Sequence, residues 1–229
     1  MKTIGMIGGT GWPSTLEYYR IINQETNRRL GGLNSAKIIL SSFNFAEIDR
    51  LNKLDEHEGV YEYVLDAAQR LKKASVDFII ICANAMHQYA DRLEEATGLR
   101  IVHIVDATAV EIKKKGISKI GLLGTKLTME MDFYTKRLLS AGIESITPPK
   151  PERDFIHNSI MSELVIGQFK NETKDKFLNI IDELEQKGAS GIVLGCTEIP
   201  LLIKQNDTHL PVFNTLEIHA KAAVDYALS

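Results

Sequence analysis

Gly191-Ile192-Val193-Leu194-Gly195 is an uninterrupted apolar run that stops abruptly at Cys196-Thr197-Glu198-Ile199-Pro200. Without polar alternation it reads as a strand buried on both faces, the kind a parallel sheet carries between helices. The glycine and the polar trio then mark the carboxyl end of that strand and the start of a helix. A thiol placed there meets unpaired backbone N–H groups and the positive end of a helix dipole, both of which favour thiolate. Taken alone, Cys196 also reads as a small apolar core residue, and for a lone cysteine that is the commoner case.

The same grammar runs through the chain. Thr3–Ile7 is a short apolar strand leading into Gly8-Gly9-Thr10-Gly11-Trp12-Pro13-Ser14-Thr15. Ser14 or Thr15 can cap a helix over 16–30. The third glycine of a dinucleotide fingerprint is serine here, so no dinucleotide is expected. Either a tight strand–helix turn or a small-anion pocket fits these glycines. Further strands are expected at 36–41, 78–82, 100–105, 119–123, 144–147 and 211–213. Helices are expected at 59–74, 106–115, 171–187 and 216–228, with others around 125–141 and 154–167. Strands alternating with helices imply an α/β fold with parallel sheets covered on both faces.

Two places repeat. Ile4-Gly5-Met6-Ile7-Gly8-Gly9-Thr10 matches Ile120-Gly121-Leu122-Leu123-Gly124-Thr125, and Phe78 to Asn84 matches Gly191 to Thr197. The offsets are 116 (120 minus 4) and 113 (196 minus 83). The expected architecture is therefore two similar lobes, pseudo-twofold related, with residues 1–104 plus 208–229 in one and 105–207 in the other. Ligands bind at the carboxyl ends of parallel strands, so both motif sets are expected around one cleft between the lobes. The repeat sets Ala83 opposite Cys196. Cys82 is one residue off, on the other face of its strand.

Composition removes other functions. The net charge is −3 over 229 residues with scattered cations, which offers nothing to nucleic acid or an anionic membrane. No apolar run approaches the ~20 residues of a membrane span, and no signal peptide is visible. Two cysteines and six histidines without ligand spacing give no disulfide framework and no structural metal. A reducing cytoplasm is the expected compartment. A thiol at a strand end suits nucleophilic catalysis or proton transfer at carbon. No motif ties His87 or His219 to Cys196, so the first lacks its base.

The chain resembles the cofactor-independent aspartate/glutamate racemases over nearly its whole length. The resemblance is carried by Ile4-Gly5-Met6-Ile7-Gly8-Gly9, Asn84-Ala85-Met86-His87, Leu123-Gly124-Thr125, Gly195-Cys196-Thr197-Glu198-Ile199 and Glu217-Ile218-His219-Ala220. It implies two α/β lobes, a homodimer, no pyridoxal phosphate or other cofactor, and two cysteines exchanging the α-proton. It further implies that Asn84 and Thr197 hold the α-carboxylate and amine of a small acidic amino acid, helped by backbone at Gly9, Thr10 and Ala85 and by Thr125. Arg50 falls near a family arginine for the second carboxylate; it also reads as a solvated helix-end arginine. Val165 stands where some relatives carry a basic residue. At the family's first cysteine this chain has Ala83. The nearest subgroup, similar to racemases specific for L-aspartate and L-glutamate, carries threonine there and one catalytic cysteine. Two functions are thus expected: an acidic amino-acid racemase with Cys196 as its base, or a single-cysteine relative or altered variant that binds such an amino acid and racemises it poorly or not at all. A related decarboxylase or hydantoin racemase is the third class, disfavoured by Asn84 to His87.

Overall fold

The computed structural model describes residues 1–229. The chain forms two compact units: Met1–His103 with His219–Ser229, and Ile104–Ile218.

In the first unit, strands β1 (Ile4–Gly8), β2 (Ile38–Ser42), β3 (Phe78–Ile81) and β4 (Arg100–Ile101) make a parallel sheet in the order β2-β1-β3-β4. Its helices are α1 (Trp12–Leu30), α2 (Phe45–Lys53), α3 (His57–Lys73) and α4 (Ala90–Thr97). A 3-10 turn over Ala85–Tyr89 precedes α4. The central strands β1 and β3 are buried on both faces, as their unbroken apolar character requires, while the edge strands β2 and β4 are partly exposed. Ile7, Ile79 and Ile81 pack with Ile48, Val60, Val64, Ala68 and Leu71 of α2 and α3. On the alternate positions, Phe78 meets the ring of Tyr226 from the last helix, 4.8 Å between centroids.

The second unit repeats this plan. It contains α5 (Ile104–Lys114), β5 (Lys119–Gly124), α6 (Lys126–Glu130), α7 (Asp132–Ser140), β6 (Glu144–Ile146), α8 (Lys150–Ser162), α9 (Asn171–Gln186), β7 (Ile192–Gly195), α10 (Ile199–Leu202) and β8 (Val212–Asn214). The last helix, α11 (Thr215–Leu228), begins here and runs into the first unit. The parallel sheet has the order β6-β5-β7-β8, the first unit's order over again. Leu123, Ile192 and Leu194 face Phe177, Ile181 and Leu184 of α9. Ile120, Leu122 and Val193 face α5 and α7 through Val105, Ile112, Tyr134 and Leu138.

The repeated Ile-Gly has a packing reason in both units. A Cβ at Gly5 would lie 2.9 Å from Val76 Cγ2, and one at Gly121 would lie 2.9 Å from both Ile192 Cδ1 and Leu184 Cδ1. Each glycine thus lets neighbouring side chains close down on the middle of a strand.

Several boundaries differ from the sequence reading. Residues 208–218, expected with the first lobe, belong to the second unit, because β8 ladders onto β7 through Ile192–Val212, Val193–Phe213 and Leu194–Asn214. The helix expected from residue 16 starts at Trp12 with Gly11 at its cap position and no side-chain cap. Pro13 in the first turn has no N–H to leave unsatisfied, so the helix can begin early. Ser14 and Thr15 are therefore buried first-turn residues and not caps. The strand expected over 100–105 is only two residues long, since Ile104 and Val105 already belong to α5. The helix expected around 125–141 is split at Met131, which is extended at φ −85, ψ 143.

Candidate functional site

In the second unit the register is Gly121–Ile192 through Gly124–Gly195, so Thr125 and Cys196 are the next residues out on adjacent strands. Cys196 is 8 % exposed. Its Sγ donates to Glu198 Oε2 at 3.0 Å, and Thr197 Oγ1 donates to the same oxygen at 2.9 Å. Glu198 is itself buried. Burial pushes the Cys196 thiol well above the ordinary cysteine range, and the Glu198 carboxylate adds to this; the backbone N–H groups of Glu198 and Thr197 pull the other way and lose. The expected lowering by a helix start does not occur. α10 begins only at Ile199 and is four residues long, too short to offset a buried like-charge neighbour.

Thr125 precedes α6, and its hydroxyl lies 3.4 Å from Thr128 Oγ1. Thr128 Cγ2 would be 3.0 Å from a Cβ at Gly124 and 2.9 Å from one at Gly195, so one buried threonine seats both strand ends. Beside them, Lys126 Nζ pairs with Asp154 Oδ1 at 2.7 Å. Lys126 and Lys150 hold the Asp154 carboxyl down to about 2.

In the first unit the register is Ile4–Phe78 through Ile7–Ile81. Gly5 pairs with Ile79, and Ala83 lies four residues farther on; Gly121 pairs with Ile192, and Cys196 lies four residues farther on. The two sheets therefore carry Ala83 and Cys196 at equivalent positions. Ala83 is half-buried, with its carbonyl accepting from His87 Nδ1 at 2.8 Å. Asn84 is buried, and Ala85 opens the 3-10 turn. Cys82 is enclosed, and burial alone raises its thiol far above the ordinary range.

Gly9 sits at φ +91, and a Cβ there would lie 2.3 Å from both the N and O of Phe43, so no other residue fits. Its N–H donates to Thr15 Oγ1 at 2.9 Å. That N–H is therefore committed within the fold and is not a free donor. Thr10, beside it, is half-buried. Arg50 lies on α2, exposed and without an ion pair; its neighbour Asp49 is taken by Lys53.

Two features escaped the sequence. Glu198 was visible only as a carboxylate two residues past the thiol; that its side chain turns back onto Cys196 depends on the turn. Three histidines converge although they are far apart in the chain. The His87 ring lies 4.8 Å from His103 and 5.2 Å from His219. His219 Nε2 faces the Val102 carbonyl at 2.7 Å, and a carbonyl only accepts, so Nε2 carries the proton and Tyr18 OH donates to Nδ1 at 2.8 Å. Burial holds His219 down to about 4.

This depression has a consequence for stability. Between pH 6.5 and about 4 the unfolded chain binds a proton at His219 that the folded chain refuses, so stability falls as pH drops through that window. The expected loss is about 2 kcal/mol between pH 7 and pH 5. Urea unfolding at the two pH values should show a smaller difference for His219→Gln than for the parent. An unchanged difference would remove His219 as its source.

The sequence model described as Asp/Glu/hydantoin racemase matches residues 7–223. The crystal structure of a candidate Asp/Glu racemase from Yersinia pestis is 48 % identical and superposes with a TM-score of 0.94 over 100 % of both chains. That of an aspartate racemase homologue from Pyrococcus horikoshii is 36 % identical, with a TM-score of 0.87 over 100 % of both. The broad specificity amino-acid racemase RacX of Bacillus subtilis is 25 % identical over 174 residues, 76 % of this chain and 75 % of its own length.

Proposed function

The chain belongs to the Asp/Glu/hydantoin racemase family, and from that premise we propose that it racemises an acidic amino acid, aspartate or glutamate, without pyridoxal phosphate, at the carboxyl ends of its two sheets. The observation that carries this reading is the buried Cys196–Glu198 pair at the end of β7. Glu198 Oε2 takes the Sγ proton. The thiolate then removes the α-proton, so that the S–H bond forms again as Cα–H breaks and the electron pair stays on Cα. Return of a proton to the opposite face gives the other enantiomer; return from Sγ restores the first.

Asn84 and Thr197 hold the α-carboxylate and amine in this reading, with Thr10, Ala85 and Thr125 supporting. Arg50 takes the second carboxylate, for which its unpaired guanidinium is suited. Gly9 contributes space. Both sheet ends serve one substrate, and the protein works as a cytoplasmic homodimer. No helix is long and apolar enough to cross a membrane.

Ala83 favours a second reading, a protein that binds the amino acid and inverts it poorly. Its methyl group has no proton to give, at the position equivalent to Cys196. One experiment separates the two. Each enantiomer of aspartate and glutamate is incubated with the protein in D2O, and α-deuterium is followed by NMR. Exchange with inversion supports the racemase. Calorimetric binding without exchange supports the binder. Neither binding nor exchange with all four compounds would refute both.

A further inference from the structure

One side of α1 carries an exposed apolar stripe. Trp12, Leu16, Tyr19 and Leu30 are 70 %, 57 %, 52 % and 45 % exposed. Positions 12, 16, 19, 23 and 30 fall within one narrow strip of a helix surface. The stripe continues onto the sheet. Asn23 Oδ1 accepts from the Ala36 N–H just before β2, which brings this flank of α1 against the edge strand. Leu40 of β2 is 45 % exposed and lies on the face that α1 covers, because its Cδ1 and the Thr15 methyl both approach the same point above Gly8.

We infer that this stripe, α1 with Leu40, is the face through which two copies of the chain pair about a twofold axis. The inference names the face of the homodimer proposed above and does not depend on the chemistry. Area supports it. The five side chains expose about 500 Å² per copy, so pairing them buries on the order of 1,000 Å² before any polar rim is added, the threshold for a specific interface. Such a patch is at the upper end of what a monomer's surface carries. Charge supports a second copy over a charged partner. Arg20 on the adjoining flank is neutralised by Glu17 at 2.6 Å, so the stripe presents no net sign to a nucleic acid or a charged peptide. A straight helical stripe with bulky apolar groups at both ends matches itself when reversed, as a twofold interface requires.

The test is sedimentation velocity over a range of concentrations, with the parent, Leu16→Glu/Tyr19→Glu, and Leu139→Glu as a control at another exposed leucine. The parent is expected to be dimeric at micromolar concentration. The double variant should dissociate at least 100-fold more readily with its far-UV circular dichroism unchanged, and the control should behave as the parent. If the double variant does not fold, hydrogen exchange of the parent across its dissociation range decides. Protection on assembly at residues 12–30 and 38–42 supports the face, and protection confined elsewhere overturns it. A parent that stays monomeric at 100 µM overturns the homodimer itself. A dimer indifferent to the double variant overturns only this face. Neither result touches the racemase reading, which rests on α-deuterium exchange.

Discussion

Ala83→Cys is expected to raise the rate of inversion by about 10²–10⁴-fold, the usual worth of one positioned acid or base. Inversion through a carbanion needs a proton removed on one face and delivered on the other. In the proposed reading Cys196 serves one face. With alanine at the equivalent place in the other sheet, the parent should exchange α-hydrogen mainly in one enantiomer and with retention, leaving inversion to water or a less well placed group. A ten-thousandfold gain corresponds to about 5 kcal/mol of transition-state stabilisation. Ala83→Thr asks whether a hydroxyl is enough. The measurement is polarimetric inversion beside NMR exchange. If the parent already inverts aspartate or glutamate efficiently and neither substitution changes the rate, position 83 does not hold the opposing acid.

Glu198→Gln should move two observables in opposite directions. Removing the carboxylate beside Sγ takes away a negative charge that now raises the thiol, so the Cys196 pKa should fall and alkylation by iodoacetamide at neutral pH should quicken. The same change removes the acceptor of the Sγ proton, and α-proton exchange should drop by about 10²–10⁴-fold. A neighbour that only tunes the thiol electrostatically would make both quantities rise together. An acidic amino acid should also protect Cys196 from alkylation, while Cys82, enclosed and with its thiol raised, should label last in every variant.

What could be read from the residues alone follows from how local each signal is. β1, β3, β7 and, past Lys119, β5 are unbroken apolar runs, and burial on both faces leaves little else for such runs to be. Glu144-Ser145-Ile146 is a strand only because β5 lies beside it, so its own residues say little. The equivalence of Ala83 and Cys196 was visible as a sequence offset, because parallel strands of two like sheets carry the offset straight into register. The thiol's titration is not legible in the residues. Its position on the chain suggested a helix start, whereas its behaviour depends on enclosure and on a side chain that doubles back, both set by tertiary packing. The histidine group was invisible for a related reason: His87, His103 and His219 come from separate elements, and no spacing announces them.

The first unit is assembled from two pieces of chain, and this sets an order of events. Residues 104–218 are continuous and can close around their own core as soon as they have left the ribosome. The first unit cannot. Tyr18 and Phe78 have no cover until His219 and Tyr226 arrive on the final helix. The half of the protein that is synthesised first is thus completed last, and it waits with the Tyr18 flank of α1 and the Phe78 ring lacking their final-helix partners while the other half folds.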